Sequence, residues 1–326
     1  MFSTVSAIAV AALLHAPVAI SQDKSVDAYP EKPVRVIIPY AAGGPTDVVA
    51  RTIGQKLTDR WGQQFLLDNR AGADGLIGMT AAAGAPADGY TLLLGGTGVL
   101  TSNPALYTKL PYDSQKDYAP IILVSSGPFL LLTHPKSGIS NVADLVKMAT
   151  ARPGELTFGS GGGLANLAGV LFQYSAGIKT IIVPYKGAAP SMTDLMGGQI
   201  TYIFTSTTAA LPNVKAGKLV GLGVTTKKRW PSLPDIPAIA ETVPSFEDVQ
   251  VWYGFLAPAQ TNRGIVAKLN REMNVAIQGQ DVAQRLAALG SEVVGGGPEG
   301  FSRLIDKEIA MWKKLAKDAN LKPEAP

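Results

Sequence analysis

The sequence predicts an α/β protein of two domains, with a mostly parallel sheet covered by helices in each. Apolar segments with the period of strands alternate with segments that have the period of amphipathic helices. Several strand segments end in glycine-rich turns, and two of these turns lead directly into a helix. The chain has 326 residues, of which 46% are hydrophobic, which is enough for two buried cores.

The unit from Val34 to Arg51 places a strand, a turn of small residues and a helix in immediate succession. The strand ends at Pro39, and Val49, Ile53 and Leu57 then repeat at the spacing of one helix face. The first amides of a helix lack partners within the helix and carry partial positive charge, so they bind anions. Because the turn contains no Lys or Arg, backbone amides would be the main groups holding such an anion.

The same turn has a simpler interpretation as a capped connection. Thr46 and Asp47 stand where a helix begins, and both residue types are common N-caps. This unit alone leaves the anion site and the cap as open alternatives.

The N-terminal segment has the features of a secretory signal peptide. Residues 1–21 carry no charge, and Phe2 to Ile20 is rich in Ala, Val, Leu and Ile. The run is interrupted by His15 and Pro17, so it is too short to span a membrane. Small residues allow cleavage before Gln22, although no Lys or Arg precedes the apolar run as is usual. We therefore expect residues 1–21 to be removed and the protein to be periplasmic.

Composition excludes several classes of protein. The chain has no cysteine, which rules out disulfides, thiolate metal sites and cysteine nucleophiles. Beyond the signal segment His134 is the only histidine, and Pro135 restricts its backbone, so a Ser-His-Asp triad fits poorly and a histidine-rich metal site is excluded. The net charge of +4 is too small and too evenly spread for nucleic-acid binding. We expect no cofactor, no metal and no nucleic-acid partner.

Two further elements extend the first domain. Phe65–Leu67 predicts a second strand, and an alanine-rich helix begins near Ile77. Tyr90–Leu94 predicts a buried strand that ends in the polar glycine turn 95–98, which contains Thr97. Ligands bind beyond the carboxyl ends of strands in such sheets, where two glycine turns have accumulated.

The middle of the chain predicts the crossover between domains. Ile121–Val124 and Phe129–Thr133 read as separate short strands around the Ser-Ser-Gly-Pro interruption at 125–128. Val251–Leu256 predicts the strand that returns to the first domain. Residues 301–315 predict a terminal helix whose apolar stripe belongs to the core.

The strand-turn-helix construction recurs in the second domain. Leu156–Phe158 predicts a strand, residues 159–163 a glycine turn, and Leu164 to Ser175 a well-patterned helix. Ser160 and Asn166 are the available hydrogen-bonding side chains. The spacings GxxxxGK[ST] and GxGxxG are absent, so a nucleotide site fits poorly. The glycines serve either ligand contact or close packing of the helix on the sheet.

A run of four hydroxyl residues, Thr205–Thr208, follows the predicted strand Ile200–Phe204. Hydroxyl groups at this position either cap a helix or donate hydrogen bonds to a ligand. The sequence alone leaves both roles open.

Nine segments from about Tyr29 to the C-terminus carry a resemblance to a known family. They are IIPYAAGGPTDVVAR, DNRAGADGLIG, PADGYTLL, NPALYTKLPYD, PGELTFGSGGG, VPYKGAAPSMTDLMGGQI, GKLVGLGVTT, LPDIPAIAE and WYGFLAP. In this order they resemble the extracytoplasmic solute receptors of tripartite tricarboxylate transporters, the Bordetella-uptake type of binding protein.

The resemblance implies a two-lobe, periplasmic-binding-protein-like fold (type II, Venus flytrap) that closes on a ligand. Lobe 1 would comprise residues 28–124 and 255–326, and lobe 2 residues 125–254. The first-lobe turn would grip one carboxylate through backbone amides and ordered waters, while the second-lobe turn faces the far end of the ligand. The expected ligand-binding residues are Tyr40, Ala42, Gly43, Gly44, Pro45, Thr46, Asp47, Thr97, Ser160, Gly161, Gly163, Asn166, Thr205 and Ser206.

Two departures from the family pattern bear on the ligand. Family members often have His in place of Asn166, and many have Asp in place of Thr205. A carboxylate at the latter position would pair with the amino group of an amino acid, whereas Thr205 and Ser206 are neutral donors. We therefore expect a ligand with carboxylates at both ends, aliphatic or aromatic, rather than an amino acid.

The leading hypothesis is a monomeric periplasmic carboxylate receptor that transiently contacts an inner-membrane transporter. An alternative in the same fold is a receptor that presents its closed form to a sensor kinase. A secreted hydrolase or lyase using Asp47, Ser160 or Lys186 is the third reading, but no motif supplies a general base beside a nucleophile.

Overall fold

The computed structural model describes residues 24–161, 163–321 and 323, and within them helices and strands alternate through most of the chain. The predicted signal peptide lies outside the described residues. The α-helices are α1 (Lys24–Ala28), α2 (Pro45–Trp61), α3 (Leu76–Ala83), α4 (Asn103–Leu106), α5 (Val142–Ala151), α6 (Gly163–Ala176), α7 (Ala188–Met196), α8 (Thr207–Lys215), α9 (Ile239–Thr242), α10 (Arg263–Ala276), α11 (Gln280–Ala288) and α12 (Pro298–Asp318). No helix within these ranges combines the length and the apolarity needed to cross a lipid bilayer.

The strands form one continuous, curled sheet with two halves. They are β1 (Val34–Ile38), β2 (Phe65–Asn69), β3 (Thr91–Gly96), β4 (Tyr118–Thr133), β5 (Thr157–Ser160), β6 (Ile181–Pro184), β7 (Tyr202–Ser206), β8 (Val220–Val224), β9 (Gln250–Pro258) and β10 (Glu292–Val293). Their order is β2-β1-β3-β9-β4-β7-β5-β6, and β8 and β10 also pair with β4. The strands β4 and β9 thus run through the junction between the halves.

The sheet contains more antiparallel strand pairs than the mostly parallel sheet that the sequence predicts. Neighbouring strands are parallel at the outer end of each half, where β1 joins β2 and β3, and β5 joins β6 and β7. The pairings of β4 and β9 are antiparallel. Because β4 and β9 return the chain between the halves, each half is closed by an antiparallel strand on its inner side.

One prediction about this region is wrong: Ile121–Val124 and Phe129–Thr133 belong to the single strand β4. The supposed interruption stays in the ladder, with Ser126 paired to Trp252 and Gly127 to Val251. A Cβ on Gly127 would lie 2.6 Å from the carbonyl oxygen of Gly290. The glycine therefore permits close packing inside a strand and does not mark a turn.

Both strand-turn-helix units form as predicted, and their apolar faces are buried. Val49, Ile53 and Leu57 of α2 are fully buried beside β1, and Leu167 and Phe172 of α6 are fully buried in the second half.

The terminal helix α12 contacts the cores of both halves. Its residues Phe301, Ile305 and Ile309 pack in a cluster with Ile37 and Trp252. In the next turns Trp312 and Leu315 enter the cluster that contains Phe158 and Phe172. The apolar stripe of α12 is buried in the core, as predicted, but its first part packs in one cluster and its last part in another. The exact boundaries between lobes remain a prediction.

Candidate functional site

The N-terminus of α2 opens onto a cavity without a side-chain cap. Gly44 occupies the N-cap position with φ −78° and ψ 170°, and Pro45 is the first helical residue. Neither Thr46 nor Asp47 is the N-cap, so the simple capped connection is not what forms. An uncapped N-terminus presents its first amides and the positive end of the helix dipole to whatever occupies the cavity.

Asp47 is committed to the turn itself. The amide of Gly43 donates to its Oδ2 at 3.0 Å, and Arg51 donates to both oxygens at 2.7 and 3.1 Å. Burial alone would raise the pKa of Asp47, but the hydrogen bonds from Arg51, Gly43 and Asn69 outweigh it, so the pKa lies below its usual value. The carboxylate therefore stabilises the loop that the ligand would contact.

A first cavity of about 520 Å³ adjoins this turn. Its mostly apolar wall comes from both halves of the molecule and includes Phe129, Leu164 and Val251. Tyr253 lies in the same wall and is hydrogen-bonded to Thr46, while burial raises the pKa of Tyr253 to about 12. The neutral phenol of Tyr253 thus holds Thr46 in position by a hydrogen bond.

A second cavity of about 820 Å³ continues from the first, sharing Tyr40, Gly98 and Leu164 with it. Its wall is more polar. Ser160 and Asn166 lie on one side of it, and the remaining polar lining residues are Asp74, Asn103, Tyr107, Tyr185 and Lys186. The two cavities form one elongated cleft with an apolar first part and a polar second part.

The structure brings most of the predicted site residues to this cleft. The first cavity is lined by Tyr40, Ala42, Gly44, Pro45, Thr46 and Thr97, and the second by Ser160, Gly161, Gly163 and Asn166. Gly43 and Asp47 line neither cavity, and the hydrogen bond between them stabilises the first turn. Their roles in binding stay predictions.

Thr205 and Ser206 line neither of the two cavities, and their roles in binding stay predictions. The hydroxyl of Thr205 is buried and has no hydrogen-bond partner among the described residues, and Thr205 lines neither cavity. Ser206 borders a small space of about 10 Å³ that shares Pro45, Val251 and Tyr253 with the first cavity. Thr207 and Thr208 donate to the carbonyls of Pro128 and Leu289, so two of the four hydroxyls hold the backbone.

Sequence reasoning missed several lining residues. Phe129 lies on β4 and Val251 on β9, and nothing in the sequence except their apolar character pointed to a place in the site. Asp74 adopts the left-handed backbone region, with φ 48°, which is uncommon for residues other than glycine although Asp tolerates it better than most. Lys186 entered only as a candidate catalytic group, yet it is a cation facing the second cavity. The described residues hold no cluster of three or more His, Cys, Asp or Glu that fits a metal ion.

Comparison with known proteins places this cleft in a family. The model of the tripartite tricarboxylate transporter family receptor matches residues 49–321. Protein BugT of Bordetella pertussis is 34% identical over 319 residues, covering 97% of this chain and 98% of BugT.

Two solved structures are similar over nearly the whole fold. The R. palustris protein Rpa4515 with adipate is 36% identical with a TM-score of 0.80, covering 91% of this chain and 100% of that one. MatC from Rhodopseudomonas palustris with bound malate is 31% identical with a TM-score of 0.75, covering 88% and 99%. These similarities confirm the predicted two-lobe fold class, and the chain belongs to the tripartite tricarboxylate transporter receptor family of periplasmic solute-binding proteins.

Proposed function

We propose that the protein captures a small dicarboxylate in the elongated cleft and delivers it to a membrane transporter of the tripartite tricarboxylate type. The observation that carries this is the uncapped N-terminus of α2 at one end of a cleft whose other end is polar. Adipate and malate, named in the two similar structures, are both dicarboxylates, and this supports the same ligand class here.

The two parts of the cleft suit different parts of such a ligand. One carboxylate would accept hydrogen bonds from amides at Gly44 and Thr46 in the first cavity. The hydrocarbon portion would lie against Phe129, Leu164 and Val251. The second carboxylate would reach the polar cavity, where Ser160, Asn166 and Lys186 supply donors and a positive charge.

Calorimetric titration tests the ligand class directly. We expect heat and saturable binding with dicarboxylates, weaker binding with monocarboxylates of equal length, and none with amino acids. A ligand at 100 times its dissociation constant would also stabilise the protein by about 2.7 kcal/mol, which a thermal-shift screen detects. Tight amino-acid binding without dicarboxylate heat would contradict the proposal.

The remaining parts of the proposal concern the protein's setting. Residues 1–21 would direct export and be removed before Gln22, which mass spectrometry of the exported protein would show. The lobes 28–124 with 255–326, and 125–254, would close as a monomer on the ligand without catalysing a reaction. Recovery of chemically altered ligand after incubation would contradict the non-enzymatic role, and deletion of the gene should abolish uptake of the ligand.

A further inference from the structure

A buried carboxyl group lies behind the ligand cleft, on the helix that contacts both cores. Glu308 of α12 is only 6% exposed. Its Oε1 accepts a hydrogen bond from the indole Nε1 of Trp252 at 2.9 Å, and its Oε2 lies 2.8 Å from Oγ1 of Thr101. No Lys or Arg forms an ion pair with it among the described residues.

The hydrogen-bond count around Thr101 indicates where the proton is. Oγ1 of Thr101 lies 2.9 Å from the carbonyl oxygen of Thr97 and also contacts Glu308. A hydroxyl has one proton to donate, and neither the carbonyl nor an ionised carboxylate has any. Both contacts are two-centre hydrogen bonds only if Thr101 donates to Thr97 and accepts from a protonated Glu308.

The chain of contacts ends at the ligand cavity. Thr97 is buried and lines the first cavity. Its hydroxyl donates to the carbonyl of Gln250 at 3.1 Å and accepts from the amide of Trp252 at 2.9 Å. Glu308 therefore reaches Thr97 by two routes, through Thr101 and through Trp252.

We propose that Glu308 is a positioning residue of the ligand site, which as a neutral carboxylic acid holds Thr101 and Trp252, and through them Thr97, in the binding geometry. Ionisation would draw the Thr101 proton to the carboxylate and leave the carbonyl of Thr97 without its side-chain donor. The single π-helical turn Gly98–Ser102, which Thr97 precedes, would loosen, and ligand affinity would fall as the pH rises.

The charges around Glu308 agree with this assignment. Burial raises the pKa of Glu308 to about 7, although Trp252 and Thr101 both lower it because their N–H and O–H groups can donate to the ionised form. Asp248, which precedes β9, raises the pKa further, while Lys307 on α12 itself lowers it slightly. The other elements packed here, residues 97–106 and β4, carry no charged side chain, and the buried phenol of Tyr118 donates to Met79.

The pH dependence of affinity in the wild type and in Glu308→Gln tests the proposal. Dicarboxylate ligands are mostly ionised at pH 6 and fully ionised above about pH 7, and completing their ionisation would strengthen binding, which is opposite to the effect expected here. His134, the one histidine of the described chain, borders a different cavity. We expect the wild-type Kd to rise by about fivefold between pH 6 and pH 8.5, the effect of one neutral hydrogen bond. Glu308→Gln keeps an acceptor for Trp252 and a donor for Thr101, so its affinity should stay at the pH 6 wild-type value throughout.

Matched variants separate positioning from general stability. Glu292→Gln changes another glutamate whose pKa burial raises but which lines neither cavity, so the wild-type pH profile should persist. Thr101→Val keeps the shape but removes the bridge, so it should bind weakly at every pH. A wild-type Kd that is constant across this range, or a Glu308→Gln profile that follows the wild type, would overturn the proposal.

The affinity test rests on the proposed function, so a ligand-free measurement accompanies it. Infrared difference spectra of the unliganded wild-type protein should show the carbonyl stretch of a protonated carboxylic acid near pH 6 and its loss near pH 8.5. Glu308→Gln should lack this band. Absence of the band from the wild type would refute the protonated carboxyl even if no dicarboxylate binds, whereas its presence without ligand binding would refute the proposed function alone.

Discussion

The amide of Gly43 donates to Oδ2 of Asp47 at 3.0 Å, so the glycine turn is tied to the first turn of the helix it precedes. The same oxygen receives a hydrogen bond from Arg51 one turn later. A flexible segment is thereby held in one conformation by a buried carboxylate. The ligand-facing amides gain their position from a side chain that does not line the cavity.

Replacing Asp47 with Ala should therefore weaken ligand binding without removing any cavity-lining atom. We expect a loss of about 1–2 kcal/mol in the free energy of unfolding, because the amide of Gly43 and Arg51 lose their acceptor. We expect ligand affinity to fall about tenfold as the turn becomes mobile. Calorimetry and denaturant titration would measure both, with Asp59→Ala on the exposed face of α2 as the control.

The same carboxylate gives stability a pH dependence at the acid end. Because folding lowers the pKa of Asp47 below its ordinary value of 3.8, its contribution is present above that pH and is lost as the pH falls through the folded value. Asp47→Asn should remove this part of the acid destabilisation. An unchanged acid unfolding profile in that variant would show that the ionised form of Asp47 contributes nothing.

Gly44→Val tests whether the N-terminus of α2 receives the anion. The φ of −78° suits any residue, and the nearest atom to an added Cβ is the carbonyl oxygen of Ala41 at 3.6 Å, so the fold should persist. The bulkier side chain would occupy the anion's approach, and affinity should fall roughly 100-fold. Gly84→Val is the matched control, with φ −84°, the same 3.6 Å clearance and no position in the cleft. Equal affinities in the two variants would remove Gly44 from the site.

Asn166→Asp tests the far end of the cleft. A new negative charge in the second cavity should repel the second carboxylate and reduce dicarboxylate affinity by about tenfold or more. Monocarboxylates of the same length should lose much less. The control Asn141→Asp adds the same charge at the N-cap of α5, where Asp also serves as a cap. If both ligand classes weaken equally, the second carboxylate does not reach Asn166.

Glu308→Gln should also change stability in a defined pH window. The wild-type carboxyl group has a pKa of about 7 in the folded protein, against an ordinary value of 4.5. Below pH 4.5 the carboxyl group is protonated in both the folded and the unfolded protein, so its ionisation does not affect stability. Between pH 4.5 and about 7 it ionises only in the unfolded protein, so the wild type loses stability as the pH rises. The variant lacks this loss, so it should become more stable than the wild type by about 3 kcal/mol above pH 7. Parallel thermal-unfolding curves across this window would contradict the buried proton.

The two strand-turn-helix units could be predicted because short-range sequence patterns determine them. The turns at Gly44 and Ser160 were identified because glycines between a strand and an amphipathic helix leave a short-range pattern. The family resemblance predicted Thr205 as a ligand contact, which stays a prediction; strand alternation puts Thr205 on the same face as the buried Ile203. No local pattern determines which face of a strand borders a cleft formed by distant segments.

The missed features depend on long-range packing. Phe129 and Val251 line the cleft because β4 and β9 lie side by side, although they are far apart in the chain. The continuity of β4 through Gly127 likewise follows from the close approach of Gly290. The buried position of Glu308 follows from the contact of α12 with Trp252, which an amphipathic pattern alone does not reveal.

The position of β9 in the sheet has a consequence for the order of folding. In the first half of the sheet β9 lies between β3 and the first part of β4, although both precede most of the second half in the chain. The first lobe therefore cannot complete its own sheet until residues 250–258 are available. A growing or translocating chain therefore keeps that sheet incomplete until most of its length has emerged.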